Sequence, residues 1–234
     1  MSVIAGQLTK AKPSRAEPLE NGDQLAASEF LRRYEAMPQV KKAELIEGVV
    51  YMGSPVRQIH ADPDSLIQTW LGTYAAHTPG TKAAVNATVY LDADNVVQPD
   101  ALLRVLPENG GRCATDEDGY LRGAPELVVE IAASSASIDL RDKLRVYRRC
   151  GVAEYLVWRT VEGQFDWRRL VGDEYQLVAS DAQGWIASAS FPGLVLDVAA
   201  LLAMDARRIL EVVQSGLASE AHNAFVARLA AARK

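Results

Sequence analysis

Apolar and polar positions alternate along the chain in short blocks of changing period. Phe30, Leu31 and Tyr34 recur at helical spacing behind Ser28, a good N-cap, and ahead of Pro38, which predicts a short first helix. The run Glu44-Leu45-Ile46-Glu47-Gly48-Val49-Val50-Tyr51 sets two short apolar stretches around a glycine and predicts a hairpin. Leu66, Trp70 and Tyr74 predict a second helix, opening at Asp62-Pro63 and closing near Thr78-Pro79-Gly80. Strands follow over 85–91 and 96–106, joined by the turn Asp92-Ala93-Asp94-Asn95. Residues 107–124, rich in Gly, Asp and Glu, read as a long loop.

The apolar strand Pro125 to Ala132, a helix from about Ser137 to Cys150 and the strand Glu154 to Trp158 form a β-α-β crossover, which implies an α/β fold. Short strands at Phe165–Val171, Tyr175–Val178 and Trp185–Ala189 read as an antiparallel extension of the sheet. After Phe191-Pro192-Gly193 the pattern turns helical through 205–217 and 219–233. The expected organisation is a loose N-terminal tail over 1–24, a main domain over 25–203 and a C-terminal helical appendage over 204–234.

Composition narrows the classes. A chain of 234 residues with 49% hydrophobic and 24% charged residues is globular rather than disordered or fibrous. The net charge of −5 removes the simplest case for nucleic-acid binding, so a local basic patch would have to supply the attraction. Cys113 and Cys150 make neither a disulfide framework nor a zinc site of ordinary spacing. With no signal-peptide-like stretch in the first 25 residues and no membrane-length apolar run, a cytoplasmic protein without membrane contact is expected.

The chain has no G-x-S-x-G, no phosphate-binding G-x-x-x-x-G-K, no G-x-G-x-x-G and no H-E-x-x-H, and its three histidines argue against a histidine-based site. Carboxylates and a lysine remain. Glu130 interrupts the apolar run 127–132, where it is paired, protonated or ligating a cation, or else shares a wet strand face with Glu126. Asp100 enters an apolar strand beside Pro99, as a site acid or as a strand-end aspartate. Lys143 borders the apolar stripe Leu140, Leu144 and Tyr147, where it can point inward or snorkel along the stripe edge. Arg141, Arg145, Arg148 and Arg149 form a basic stripe on another side, either a phosphate contact or a solvated face. Together, acids on two strands and a lysine on the next helix suit metal-assisted phosphodiester hydrolysis: the carboxylates would hold Mg²⁺ (or Mn²⁺), and the lysine would orient water or offset charge on the phosphorane.

In order along residues 25–203, Glu44-Leu-Ile-Glu-Gly48, Gln98-Pro-Asp100, Ala124-Pro-Glu-Leu-Val-Val-Glu-Ile131, Asp139-x-x-x-Lys143 with Tyr147, and Gly151-Val-Ala-Glu-Tyr155 resemble the Uma-two family of proposed endonucleases. That family belongs to the PD-(D/E)XK restriction-endonuclease-like superfamily. The resemblance implies a restriction-endonuclease-like central mixed sheet with flanking helices. It matches Asp100 to the first acid, Glu130 to the second, and Lys143 to a lysine that has migrated onto the helix, since Ala132 stands at the parental lysine position. Glu44 matches the additional acid of the early hairpin, in preference to Glu47.

The expected function is a Mg²⁺- or Mn²⁺-dependent endonuclease acting on DNA. Asp100 and Glu130 would be the ligands, Glu44 a further ligand or base, and Lys143 the charge stabiliser, with Arg141, Arg145 and Arg148 contacting nucleic acid. Two rivals stay open: a non-catalytic nucleic-acid or protein-binding module on the same fold, and an assembly protein whose C-terminal helices make a homo-oligomer.

Overall fold

The computed structural model describes residues 17–132 and 138–233. In chain order the elements are α1 (Ala27–Glu35), β1 (Ala43–Ile46), β2 (Val49–Met52), α2 (Gln58–His77), β3 (Thr81–Val85), β4 (Val89–Asp92), β5 (Asn95–Val97), β6 (Ala101–Val105), β7 (Ala114–Thr115), β8 (Leu121–Arg122) and β9 (Leu127–Ala132). A π-helical turn (Ile138–Lys143) leads into α3 (Leu144–Cys150), followed by β10 (Glu154–Arg159), β11 (Gln164–Val171), β12 (Glu174–Leu177), β13 (Trp185–Ala187), β14 (Val195–Asp197), α4 (Val198–Leu202), α5 (Ala206–Leu217) and α6 (Glu220–Ala232).

Two six-stranded sheets carry the fold, ordered β2-β1-β5-β4-β8-β7 and β12-β11-β10-β9-β6-β3. The β1–β2 hairpin forms as its sequence predicts: Glu47 and Gly48 both take positive φ (51° and 77°), the twist that a two-residue hairpin turn requires. The crossover is also as expected, with β9 and β10 parallel in the second sheet.

The predicted strand 96–106 is broken in two, and the break positions the site. Pro99 has no N–H to give to a ladder, so the chain leaves the first sheet after Val97 and enters the second at Ala101. The Gln98 N–H turns aside to the Glu44 carboxylate at 2.7 Å. The predicted strand 85–91 splits likewise at Asn86, whose φ of 48° ends β3 in one sheet before β4 begins in the other.

One face of the second sheet packs on α2 and the C-terminal helices. Trp70 and Trp167 meet edge to face at 5.9 Å, and Ile209, Val213, Phe225 and Leu229 join the same core. The helices read as an appendage are thus part of the domain's interior; Gly216 sits so close to Gly193 that a Cβ would lie 2.2 Å from the Gly193 carbonyl oxygen. The other face packs on α3 and the first sheet through Leu102, Val128, Tyr147, Tyr155, Ile46 and Val97. A third cluster lies between α1 and the hairpin, and buried Leu19 belongs to it. Residues 17–24 are therefore not a loose tail, since Gly22 N–H also donates to Val50 O at 2.8 Å; the rest of that predicted tail lies outside the described residues.

Three smaller boundaries differ from the sequence reading. Ser28 lies inside α1, whose N-cap position is Ala26. α2 begins at Gln58, a turn ahead of the expected Asp62-Pro63, so Pro63 is inside the helix. β13 pairs with β14 in a separate small sheet rather than extending the large one. Among the described residues no helix is long and apolar enough to cross a membrane.

Candidate active site

The site forms where the hairpin of the first sheet, the middle of the second sheet and α3 converge. On β1, Ala43 and Leu45 face the α1 cluster, and alternation turns Ile46 and Glu44 toward the second sheet. On β9, Val128 and Ala132 face α3, so Glu130 between them does too. β6 pairs with β9 antiparallel, Ala101 opposite Val129, which sets Asp100 beside Glu130 on that same face. The Asp100 carboxylate accepts from the Ile131 N–H at 2.8 Å. Every residue of β9 is buried, and Glu126 accepts from the Val105 N–H, so the wet-face alternative for Glu130 falls away.

Lys143 points inward among the acids. Its Nζ lies 2.9 Å from Glu44 Oε1, 2.9 Å from Glu130 Oε1 and 3.7 Å from Asp139 Oδ1. The Tyr147 hydroxyl donates to the same Glu130 oxygen at 2.8 Å. The predicted apolar stripe of this helix is rotated: Asp139, Lys143, Val146 and Tyr147 are buried, while Leu140 and Leu144 are half-buried. The π turn supplies the reason, because its wider winding shifts the phase of the side chains that precede α3. Ser137, the expected helix start, lies outside the described residues.

Two residues complete the site that the sequence reading did not select. Lys42 Nζ donates to Asp100 Oδ1 at 2.8 Å, and His60 Nε2 lies 3.3 Å from Asp100 Oδ2. Both sit on polar stretches with no apolar background to make them conspicuous. The i,i+4 pair His60 and Asp64 is the available signal, but His60 lies on the turn of α2 ahead of the expected start at Asp62. His60 Nδ1 and Asp64 Oδ1 are both buried without a hydrogen-bond partner. The side chains of Lys42 and His60 are 31% and 23% exposed against 3% for Lys143, which marks their side as the mouth of the site.

Electrostatics divides the acids. Burial opposes ionisation of Asp100, but the hydrogen bond from His60 and the charge of Lys42 outweigh it and hold the carboxyl well below its ordinary range. Burial dominates at Glu130 and pushes it up to about 8, against the pull of Lys143. Lys143 is itself desolvated, yet the surrounding carboxylates keep it firmly protonated. His60 is raised chiefly by its hydrogen bond to Asp100.

The predicted arginines are elsewhere. Arg145 is exposed and pairs with Glu47 and Asp142, and Arg148 pairs with Glu174. Arg141 is exposed on the same helical segment. None of the three is among the groups that contact the carboxylate cluster.

With these positions in place, comparison with known proteins is decisive for ancestry. The family model described as "Uma2: Putative restriction endonuclease" matches residues 27–199. The chain belongs to the Uma2 family. A solved structure, described as a putative nuclease belonging to DUF820 from Anabaena variabilis, shares the fold of this Uma2 protein. It superposes with a TM-score of 0.61 at 15% identity, covering 77% of this chain and 98% of the other. No curated protein matches. Membership of a restriction-endonuclease family supports a nuclease function for the Uma2 chain.

The resemblance to the PD-(D/E)XK superfamily implies a divalent metal, and the chemistry of the donor set is compatible with one. Among the described residues no three or more His, Cys, Asp or Glu side chains converge as a ready-made metal cage. Mg²⁺ does not require one: it keeps several waters and takes one or two carboxylates. Asp100 and Glu130 offer two hard oxygen donors on one face, and the burial that raises Glu130 is a cost that a nearby cation would relieve.

Proposed function

We propose that this Uma2 chain is a divalent-metal-dependent endonuclease that hydrolyses phosphodiester bonds in DNA. The observation that carries the reading is a fully buried lysine, Lys143, held between two site carboxylates, Glu44 and Glu130, on the face that also bears Asp100. A purely structural ion pair there would be expensive relative to apolar packing. Asp100 and Glu130 would hold Mg²⁺ or Mn²⁺, which when bound supplies Lewis-acid polarisation of the phosphate and an activated water.

The chain's own groups account for the rest. Glu44 lies within reach of the Lys143 ammonium and is placed to accept a proton from, or orient, an attacking water. Lys143 keeps its positive charge in a desolvated setting, where an ammonium stabilises negative charge building on phosphate far more than in water. Tyr147 fixes the Glu130 carboxyl. Lys42 and His60 at the mouth are hydrogen-bond donors that suit an approaching phosphate backbone. Both cysteines are free, in keeping with a cytoplasmic setting.

The test compares two variants for Mg²⁺- or Mn²⁺-dependent cleavage of DNA and RNA beside calorimetric metal titration. Lys143→Ala is expected to keep metal binding and lose cleavage by about 10²- to 10³-fold. Asp100→Asn is expected to weaken metal binding itself, because a neutral amide is a poorer ligand for a hard dication. Cleavage at the wild-type rate in Lys143→Ala refutes its role. Absence of cleavage by the wild type on every substrate assigns the fold to a binding module.

A further inference from the structure

The two lysines of the site are held in opposite ways. Lys143 is anchored: its side chain is 3% exposed and lies 2.9 Å from both Glu44 and Glu130. Lys42 is 31% exposed and reaches from the mouth to a single oxygen, Asp100 Oδ1, at 2.8 Å. Its backbone is fixed, since Lys42 O accepts from the Gly53 N–H at 2.9 Å at the open end of the hairpin. The four-carbon side chain beyond that anchor is flexible and partly solvated.

The other Asp100 oxygen, Oδ2, is held by the Ile131 backbone N–H and faces His60. A backbone donor in the middle of a sheet cannot step aside, so Oδ1 is the oxygen that a ligand can claim. A dication at Oδ1 would stand against the Lys42 ammonium, 2.8 Å from that oxygen, and like charges so close drive the more mobile one away.

We propose that Lys42 is an exchangeable counter-ion: it neutralises Asp100 in the metal-free site, is displaced from Oδ1 by the incoming divalent cation, and then turns its ammonium to the substrate phosphate at the mouth. This rests on the metal-dependent hydrolysis proposed above. The ammonium itself leaves intact, with its protons, into partly solvated space. The arriving dication more than covers the single charge that departs, so Asp100 is not left as an uncompensated buried carboxylate. Lys143 cannot serve in this way, since leaving its position would strip the counter-charge from two buried acids at once.

The experiment is Mn²⁺ titration by calorimetry, without nucleic acid, of wild type, Lys42→Gln and Lys42→Arg, with far-UV circular dichroism to check the fold. Lys42 is partly exposed, so both variants should fold. Removing the competitor in Lys42→Gln is expected to tighten Mn²⁺ binding by roughly 5-fold or more, the equivalent of a partly exposed ion pair. Lys42→Arg, whose planar fork grips a carboxylate with two donors, is expected to bind Mn²⁺ no more tightly than wild type. Equal or weaker Mn²⁺ binding by Lys42→Gln overturns the exchange. At saturating Mn²⁺, Lys42→Gln is expected to cleave DNA about 10-fold more slowly, and a wild-type rate there overturns the phosphate contact. Tighter Mn²⁺ binding by Lys42→Gln with no cleavage by the wild type upholds the exchange and removes the nuclease reading, so the two are separable.

Discussion

Glu130→Gln exchanges a buried carboxyl for a neutral group of the same shape, and its effect on stability is expected to change with pH. Burial raises the Glu130 pKa from 4.5 to about 8. A group whose folded pKa lies above its unfolded value stabilises the fold fully below the unfolded pKa, and that stability is lost as pH rises through the folded pKa. The window here runs from 4.5 to about 8. Between pH 5 and 7 the unfolded chain ionises this group freely while the fold resists, at about 1.4 kcal/mol per pH unit, so the wild type should lose roughly 2 to 3 kcal/mol. Asp100 adds no slope there, because its depressed pKa leaves its contribution complete above its ordinary value of 3.8. His60, raised above 6.5, adds loss of the same sign at the upper end in both proteins. Glu130→Gln should therefore gain on the wild type by about 2 kcal/mol over this range. The assay is urea unfolding followed by the fluorescence of buried Trp70 and Trp167, with midpoints at half-unit steps of pH. Parallel pH profiles for the two proteins would refute the reasoning, and millimolar Mn²⁺ should flatten the wild-type slope by favouring the ionised carboxylate.

Two further outcomes are expected away from the carboxylate cluster. Glu154 is fully buried and accepts from Ser188 Oγ and the N–H groups of Ala189 and Ser190 through Oε1, and from Trp167 Nε1 through Oε2. Glu154→Ala leaves those donors unpaired and should cost about 3 kcal/mol or more in urea unfolding. The triple variant Arg141→Ala, Arg145→Ala, Arg148→Ala should change stability by less than about 1 kcal/mol, because the ion pairs it removes are largely exposed. If those arginines meet phosphates, the salt slope of DNA binding should also fall by about one unit per contact, and an unchanged slope assigns them to a solvated face.

The buried acids were legible because a charge stands out in an apolar strand: Glu130 among Val128, Val129 and Ile131 is conspicuous, as is Asp100 behind Pro99. The hairpin was legible for a related reason, since Gly48 marks a backbone shape that few residues adopt. Lys42 and His60 carried no such mark, and their place in the site depends on distant segments meeting at Asp100. Local pattern also missed the exchange of sheets at Gln98-Pro99-Asp100, because both halves of the strand are apolar and the Gln98 N–H finds its partner 54 residues away in Glu44. The phase of the helix before α3 was hidden as well: a π turn is decided by what the buried Lys143 must reach, and side-chain spacing alone assumes a regular helix.

The crossing of the chain between sheets at Asp100 makes the site a joint product of both sheets. Glu44 arrives with one sheet, Glu130 with the other and Lys143 with a helix laid between them, and the pairs they form span 13 to 99 residues of sequence. No fragment holding one sheet alone can assemble the three. A partly unfolded chain would therefore carry these acids dispersed and solvated, with Lys143 far from Glu44. The cluster is thus a property of the finished molecule and of no part of it.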